Sequence, residues 1–231
     1  MKKRSFKNLS GLVFSILLIM TLSLWAAEPW KTKKSTEWTV QEALQVLNHS
    51  PWANTESVVT GMGSMDGQST PGGMGQKPRS QTGGDDLNTA EYSVAWYSAL
   101  PVRQAHARLA SLNNRASEDE LKEFLQPVTE VCNISIKGKY LKPFFEADKE
   151  TAIKKTYLLV RGKEKIYATD YTPPASARSG LVVFHFPRSL NGTPVLNEND
   201  KEVEFGTEVG GIRVRSHFTP KKMIFEGSFT Y

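Results

Sequence analysis

The chain is almost without cysteine, holding one residue, Cys132, in 231. An internal disulfide is therefore impossible, and the fold must be held by its own core even in an oxidising compartment. Cys132 lies in the apolar stretch from Val128 to Ile136, where a small buried residue is the ordinary reading; no His-bearing signature accompanies it to suggest a catalytic thiol. Histidine is sparse as well. His49, His106, His185 and His217 are far apart, and none has a second ligand at three- or four-residue helical spacing, so no metal motif is written locally.

An excess of charge of one sign is missing once the first 27 residues are set aside. They hold Lys2, Lys3, Arg4 and Lys7 and no acid, so 29 Lys and Arg against 24 Asp and Glu become 25 against 24. The high overall isoelectric point thus belongs to the start of the chain and gives no ground for expecting a nucleic-acid partner. There is also no second long apolar run. The one present, Leu9 to Trp25, is shorter than the ~20 residues of a spanning helix. It follows the cationic start and precedes Ala26 and Ala27. That is the layout of a secretory leader, with cleavage near Ala26 and Ala27 and contact with a membrane only through the leader during export. Leu24 or Trp25, three before the cut, is larger than a signal peptidase prefers, which keeps an uncleaved anchor as the alternative. The expected location is periplasmic or secreted.

The rest divides into residues 28–60, with a helix and a first strand; 61–88, a flexible loop rich in glycine and bearing methionine; and 89–231, a helical hairpin followed by an antiparallel β-rich region, expected to form one domain with 28–60. Thr39 with Glu42 forms a capping box, and Val40, Ala43, Leu44 and Leu47 share one face of an amphipathic helix ended by Pro51. Residues 55–60 and 91–97 read as strands able to pair across the loop. Pro101 opens a helix striped by Val102, Ala105, Leu109 and Leu112. Ser117 and Glu120 cap a second over 118–126, with Leu121, Phe124 and Leu125 apolar, and the short link implies an αα-hairpin.

After Pro127 the period changes to two, predicting strands over 128–137, 154–161, 164–171, 181–186, 201–209, 212–218 and 223–230. Short turns favour antiparallel pairing. A two-residue turn at Gly210 and Gly211 would face Val209 with Ile212, Glu208 with Arg213, Glu204 with His217 and Val203 with Phe218. A like turn at Gly162 and Lys163 would face Arg161 with Glu164, Leu159 with Ile166 and Lys155 with Asp170. Residues 181–186 are apolar on both sides and are expected at the centre of a sheet. The fold class is α+β: an antiparallel β-rich sandwich or open barrel, with an N-terminal amphipathic helix and an αα-hairpin.

Ser50-Pro51-Trp52-Ala53, then Trp96 with Ser98, Ala99, Pro101, Val102, Arg103 and Ala105, then Phe186-Pro187-Arg188, then Asp200, Lys201, Val203, Glu204 and Phe205 stand in an order that resembles a family of exported bacterial proteins with no assigned activity. The resemblance spans most of the chain after the leader and implies export and an envelope setting. It transfers no catalytic or binding residue. The methionine-bearing loop stands apart from it as an insertion.

No chemistry-bearing motif is assembled in the sequence. The Gly-x-Ser-x-Gly elbow is absent, and Ser179 before Gly180 reads as a turn. Met62, Met65 and Met74 are a Cu(I) candidate, since thioethers favour soft ions. The glycine-rich run lacks the Gly-Lys-Ser/Thr ending of a phosphate loop. Trp30, Trp38 and Trp52 flank the first helix, where burial is ordinary. Glu204 and Glu208 are better explained as partners of His217 and Arg213 than as a glycosidase pair. These absences lead to an expectation of no cofactor and of a non-catalytic extracytoplasmic binding or interaction domain for a protein or small-molecule ligand. A secreted hydrolase with a site assembled from distant residues, and an envelope structural protein, are the alternatives.

Overall fold

Alternation of apolar and polar residues builds two antiparallel sheets whose dry faces meet. The computed structural model describes residues 28–59 and 89–231. The leader with Ala26 and Ala27, residue Thr60, and the 61–88 segment with Met62, Met65 and Met74 lie outside the described residues. After one helical turn, Pro29–Thr32, come α1 (Val40–Asn48), β1 (Ala53–Val59), β2 (Thr89–Trp96), α2 (Leu100–Leu112), α3 (Glu118–Phe124), β3 (Val131–Gly138), α4 (Lys142–Glu146) and α5 (Lys149–Lys154). Then follow β4 (Thr156–Val160), β5 (Lys165–Tyr167), β6 (Asp170–Thr172), β7 (Val182–Pro187), β8 (Val203–Val209) and β9 (Ile212–Phe218). The larger sheet has the order β1-β2-β3-β7-β6 and the smaller β9-β8-β4-β5. The architecture is α+β and antiparallel, and the described residues form no closed barrel.

Tyr92, Val94 and Trp96 of β2, Cys132, Ile134 and Ile136 of β3, and Phe184 and Phe186 of β7 are buried against Phe205 of β8 and Phe218 of β9. The rings of Phe184 and Phe205 lie 5.9 Å apart, those of Phe186 and Phe205 6.3 Å, and those of Trp96 and Phe218 5.8 Å. Such offset and edge-on contacts suit the charge distribution of aromatic faces. One segment turns the corner between the sheets: β5 pairs with β4, and β6, separated from it by Ala168 and Thr169, pairs with β7. At the opposite border Asn54 of β1 donates to the Ser216 hydroxyl at 3.2 Å and to the His217 carbonyl at 2.8 Å, stapling β1 beside β9.

Both capping boxes are present, at Thr39 with Glu42 and at Ser117 with Glu120. On α1, however, the buried positions are Ala43, Val46 and Leu47, whereas Val40 is 47% and Leu44 37% exposed. The helix turns its seam one residue away from the expected stripe because it lies against the sheet at its C-terminal end. α3 folds back on α2, where the Arg103 guanidinium donates twice to the Phe124 carbonyl, at 3.2 and 2.8 Å.

The Gly210–Gly211 turn has the register expected of it, Val209 against Ile212 through Val203 against Phe218. Other expectations need correction. Residues 161–164 form a four-residue connection in place of a two-residue turn, so Leu158 rather than Leu159 faces Ile166, and both point inward. Asp170 does not face Lys155; it stands across from His185 and pairs with Lys149 at 2.6 Å. The 164–171 strand is two strands in two sheets, and 223–230 is a small hairpin of Ile224–Phe225 with Ser228–Phe229. Strand β7 is flanked on both sides, but β3 holds the centre of its sheet.

Candidate functional site

The pleat that sends Tyr92, Val94 and Ile136 inward sends Thr55, Ser57, Glu91, Ser93, Ser135 and Lys137 to the outer face of β1, β2 and β3. Helices α1 and α2 cover only part of that face. The Ser93 hydroxyl donates to the Leu47 carbonyl at 2.6 Å and the Thr55 hydroxyl to the Asn48 carbonyl at 3.3 Å, which ties the end of α1 to the sheet. Beside this junction opens a groove of about 1210 Å³. Small side chains at Ser93, Ala95 and Ser135 leave the floor low, while Leu44 and Leu47 of α1, His106 of α2, and Tyr140 and Leu181 make the walls.

Glu91, Lys137 and Lys139 line the groove without an ion pair among the described residues. Ion pairs lie elsewhere on the surface, among them Lys33 with Glu42 at 2.5 Å, Lys163 with Asp200 at 2.9 Å and Arg213 with Glu208 at 2.9 Å. Ser135 is 3% exposed, and its hydroxyl has no hydrogen-bond partner among the described residues. Its oxygen is not among the buried unpaired atoms, so it opens onto the groove, where solvent or a ligand reaches it. Burial, and next the positive charge of Lys137, push the His106 imidazolium down to a pKa of about 4. Near neutral pH His106 is therefore an uncharged ring, edge-on to Tyr97 at 5.4 Å.

A second polar cluster sits on the same outer face, towards its β6 edge. The Asn133 side-chain oxygen is 2.9 Å from His185 Nδ1, and the Thr172 hydroxyl is 3.0 Å from His185 Nε2. Ser98 accepts the Asn133 backbone N–H at 3.0 Å, fixing that end. Burial lowers the His185 pKa, partly offset by the charge of Asp170. With Nδ1 protonated towards Asn133, Nε2 is free to accept from Thr172.

The remaining residues singled out from the sequence are dispersed. His217 lies 2.8 Å from Glu202 and 3.8 Å from Glu204 on the outer face of the smaller sheet. The Cys132 thiol is buried and pushed up to about 12, an inert state for sulfur. Trp30, Trp38 and Trp52 are buried, Trp30 edge-on to Trp52 at 6.0 Å, so they offer no stacking platform. Ser176 and Ser179 hydroxyls bond each other at 2.7 Å in the expected turn. The Arg188 guanidinium binds the main-chain oxygen of Tyr231 and lies 4.5 Å from that ring. Among the described residues no His, Cys, Asp and Glu group could hold a metal ion, and no helix is long and apolar enough to cross a membrane.

Comparison with protein-family models, with curated proteins and with solved structures returned no match. The groove residues Glu91, Ser135 and Lys137 were not singled out by sequence reasoning. The alternation placed them on the polar side of their strands, but a polar side reads as solvent until the helices that wall it are in place.

Proposed function

We propose that the protein is exported and acts outside the cytoplasm as a non-catalytic binding domain whose ligand lies in the groove beside α1. The export part is supported by Lys2, Lys3, Arg4 and Lys7 before the apolar run ending at Ala26 and Ala27, and by the resemblance to exported bacterial proteins. The binding part is carried by one observation: a groove in which the side chains of Glu91, Lys137, Lys139 and Ser135, none with an ion pair or side-chain hydrogen bond among the described residues, converge between apolar walls. Concave sites with mostly apolar walls and a few convergent polar groups are where small ligands bind.

The test is amide chemical-shift mapping on the purified protein with a panel of small alcohols, amines, carboxylates and sugars. Shifts should gather at Leu47, Ser93, Ser135 and Lys137. A panel that moves no amide there, or moves only amides elsewhere, removes the reading.

The hydrolase alternative is favoured by the Asn133, His185 and Thr172 arrangement alone. Thr172 Oγ1 would attack an acyl carbon while His185 Nε2 takes its proton and passes it to the departing alcohol or amine, water would then cleave the acyl group from Thr172, and Asn133 would hold the ring. Its test is direct. A fluorophosphonate should add mass to Thr172 in the wild type and none in His185→Ala; an unlabelled wild-type Thr172 sinks the alternative.

A further inference from the structure

We infer that the ligand of the groove is an amphipathic anion, an aliphatic chain ending in a carboxylate, with the acid at Lys137 and Ser135 and the chain along Leu44, Leu47 and Leu181. The inference rests on the groove being a binding site and adds the class of its occupant.

The charge lining the groove is two lysines, Lys137 and Lys139, against one acid, Glu91, with His49 and His106 also on the wall. His106 contributes no charge near neutral pH, so the balance is positive. Ser135 and Lys137 are alternate residues of β3 and project from the same face about 7 Å apart along the strand. A carboxylate placed between them accepts from the Ser135 hydroxyl and from the ammonium at the end of the flexible Lys137 stem. Filling the groove with a neutral apolar molecule would cover Ser135 and crowd Lys137 without giving either a partner, which costs free energy. An inorganic anion would answer the two polar groups and leave Leu44 and Leu181 in water. A chain with an acidic head answers both demands. The 1210 Å³ available is more than a small ion or a single amino acid fills, and drug-sized ligands occupy sites of roughly 300–1,000 Å³.

The experiment uses the dye 1-anilinonaphthalene-8-sulfonate on the purified full chain, displaced in turn by octanoate, decanoate, dodecanoate and decanol. Decanoate should displace the dye, and each step of two methylenes should tighten displacement about tenfold. Decanol should be at least tenfold weaker than decanoate. Lys137→Met keeps an apolar stem and removes the charge; it should weaken decanoate about tenfold and leave decanol unchanged. Ser135→Ala should weaken decanoate by a similar factor. Lys137 has no partner among the described residues, so this variant is expected to melt with the wild type.

Decanol equal to decanoate, or decanoate unaffected by Lys137→Met, overturns the acidic head. Displacement independent of chain length overturns the aliphatic tail. If carboxylates fail while small-molecule shifts still gather at Ser93, Ser135 and Lys137, only the ligand class is wrong; if both fail, the groove reading falls with it.

Discussion

Truncating Trp96 to alanine should lower the free energy of unfolding by about 4 kcal/mol, the usual scale for emptying a buried aromatic site. Trp96 is fully buried on β2, edge-on to Phe218 at 5.8 Å and to Tyr231 at 5.6 Å. It therefore joins the larger sheet to β9 and to the last residue of the chain. Its indole N–H has no hydrogen-bond partner among the described residues, so Trp96→Phe loses packing volume but no bond. The alanine variant should melt roughly 8–16 °C below the wild type, and the phenylalanine variant much closer to it. Urea denaturation gives the energies; a loss under about 1 kcal/mol for Trp96→Ala would show that the sheets are held together elsewhere.

The second large effect belongs to acid. His106 in the folded protein has a pKa of about 4, lowered by burial first and by Lys137 second, while an unfolded histidine titrates near 6.5. Between those values the unfolded chain binds a proton that the folded chain refuses. Stability is accordingly full above pH 6.5 and declines as the pH falls to 4, by up to about 3 kcal/mol. His106→Leu removes the proton uptake. Glu42, Asp148 and Asp170, whose carboxyls are held below their ordinary values by hydrogen bonds and by Lys33 or Lys149, also lose stabilisation in acid, but equally in both proteins. The difference in unfolding free energy between His106→Leu and wild type should therefore shift towards the variant by about 3 kcal/mol between pH 7 and pH 4. The same difference at both pH values would place His106 in water.

Local rules read correctly where the determining atoms are neighbours in the chain. Thr39 and Glu42, or Ser117 and Glu120, need only three residues to close a capping box, and Gly210 with Gly211 needs only its own turn to set seven cross-strand pairs. The slip at residues 161–164 shows the limit. A lone glycine permits a two-residue turn or a longer connection, and the choice is made by which of Leu158 and Leu159 the distant Ile166 and Phe205 faces require. The same holds for β5 and β6. Alternation runs through 164–171 without a break, and only the presence of two partner strands splits it. The groove was beyond the sequence for a related reason: Ser135 and Lys137 become a site when α1 and α2 stop short of covering them, a matter of helix placement and not of residue pattern. His185 has no partner at local spacing in the sequence, because Asn133 and Thr172 lie 52 and 13 residues away and are brought to it by pairing alone.

Only Ala168 and Thr169 separate the part of the chain that hydrogen-bonds in one layer from the part that does so in the other. So short a tether forbids the layers from sliding or splaying apart, and Asn54 locks the far seam. The floor under the groove is in consequence a stiff platform. A guest meets a shape already set, spends little of its attraction on rearranging the host, and should leave empty and filled forms superimposable in their backbone.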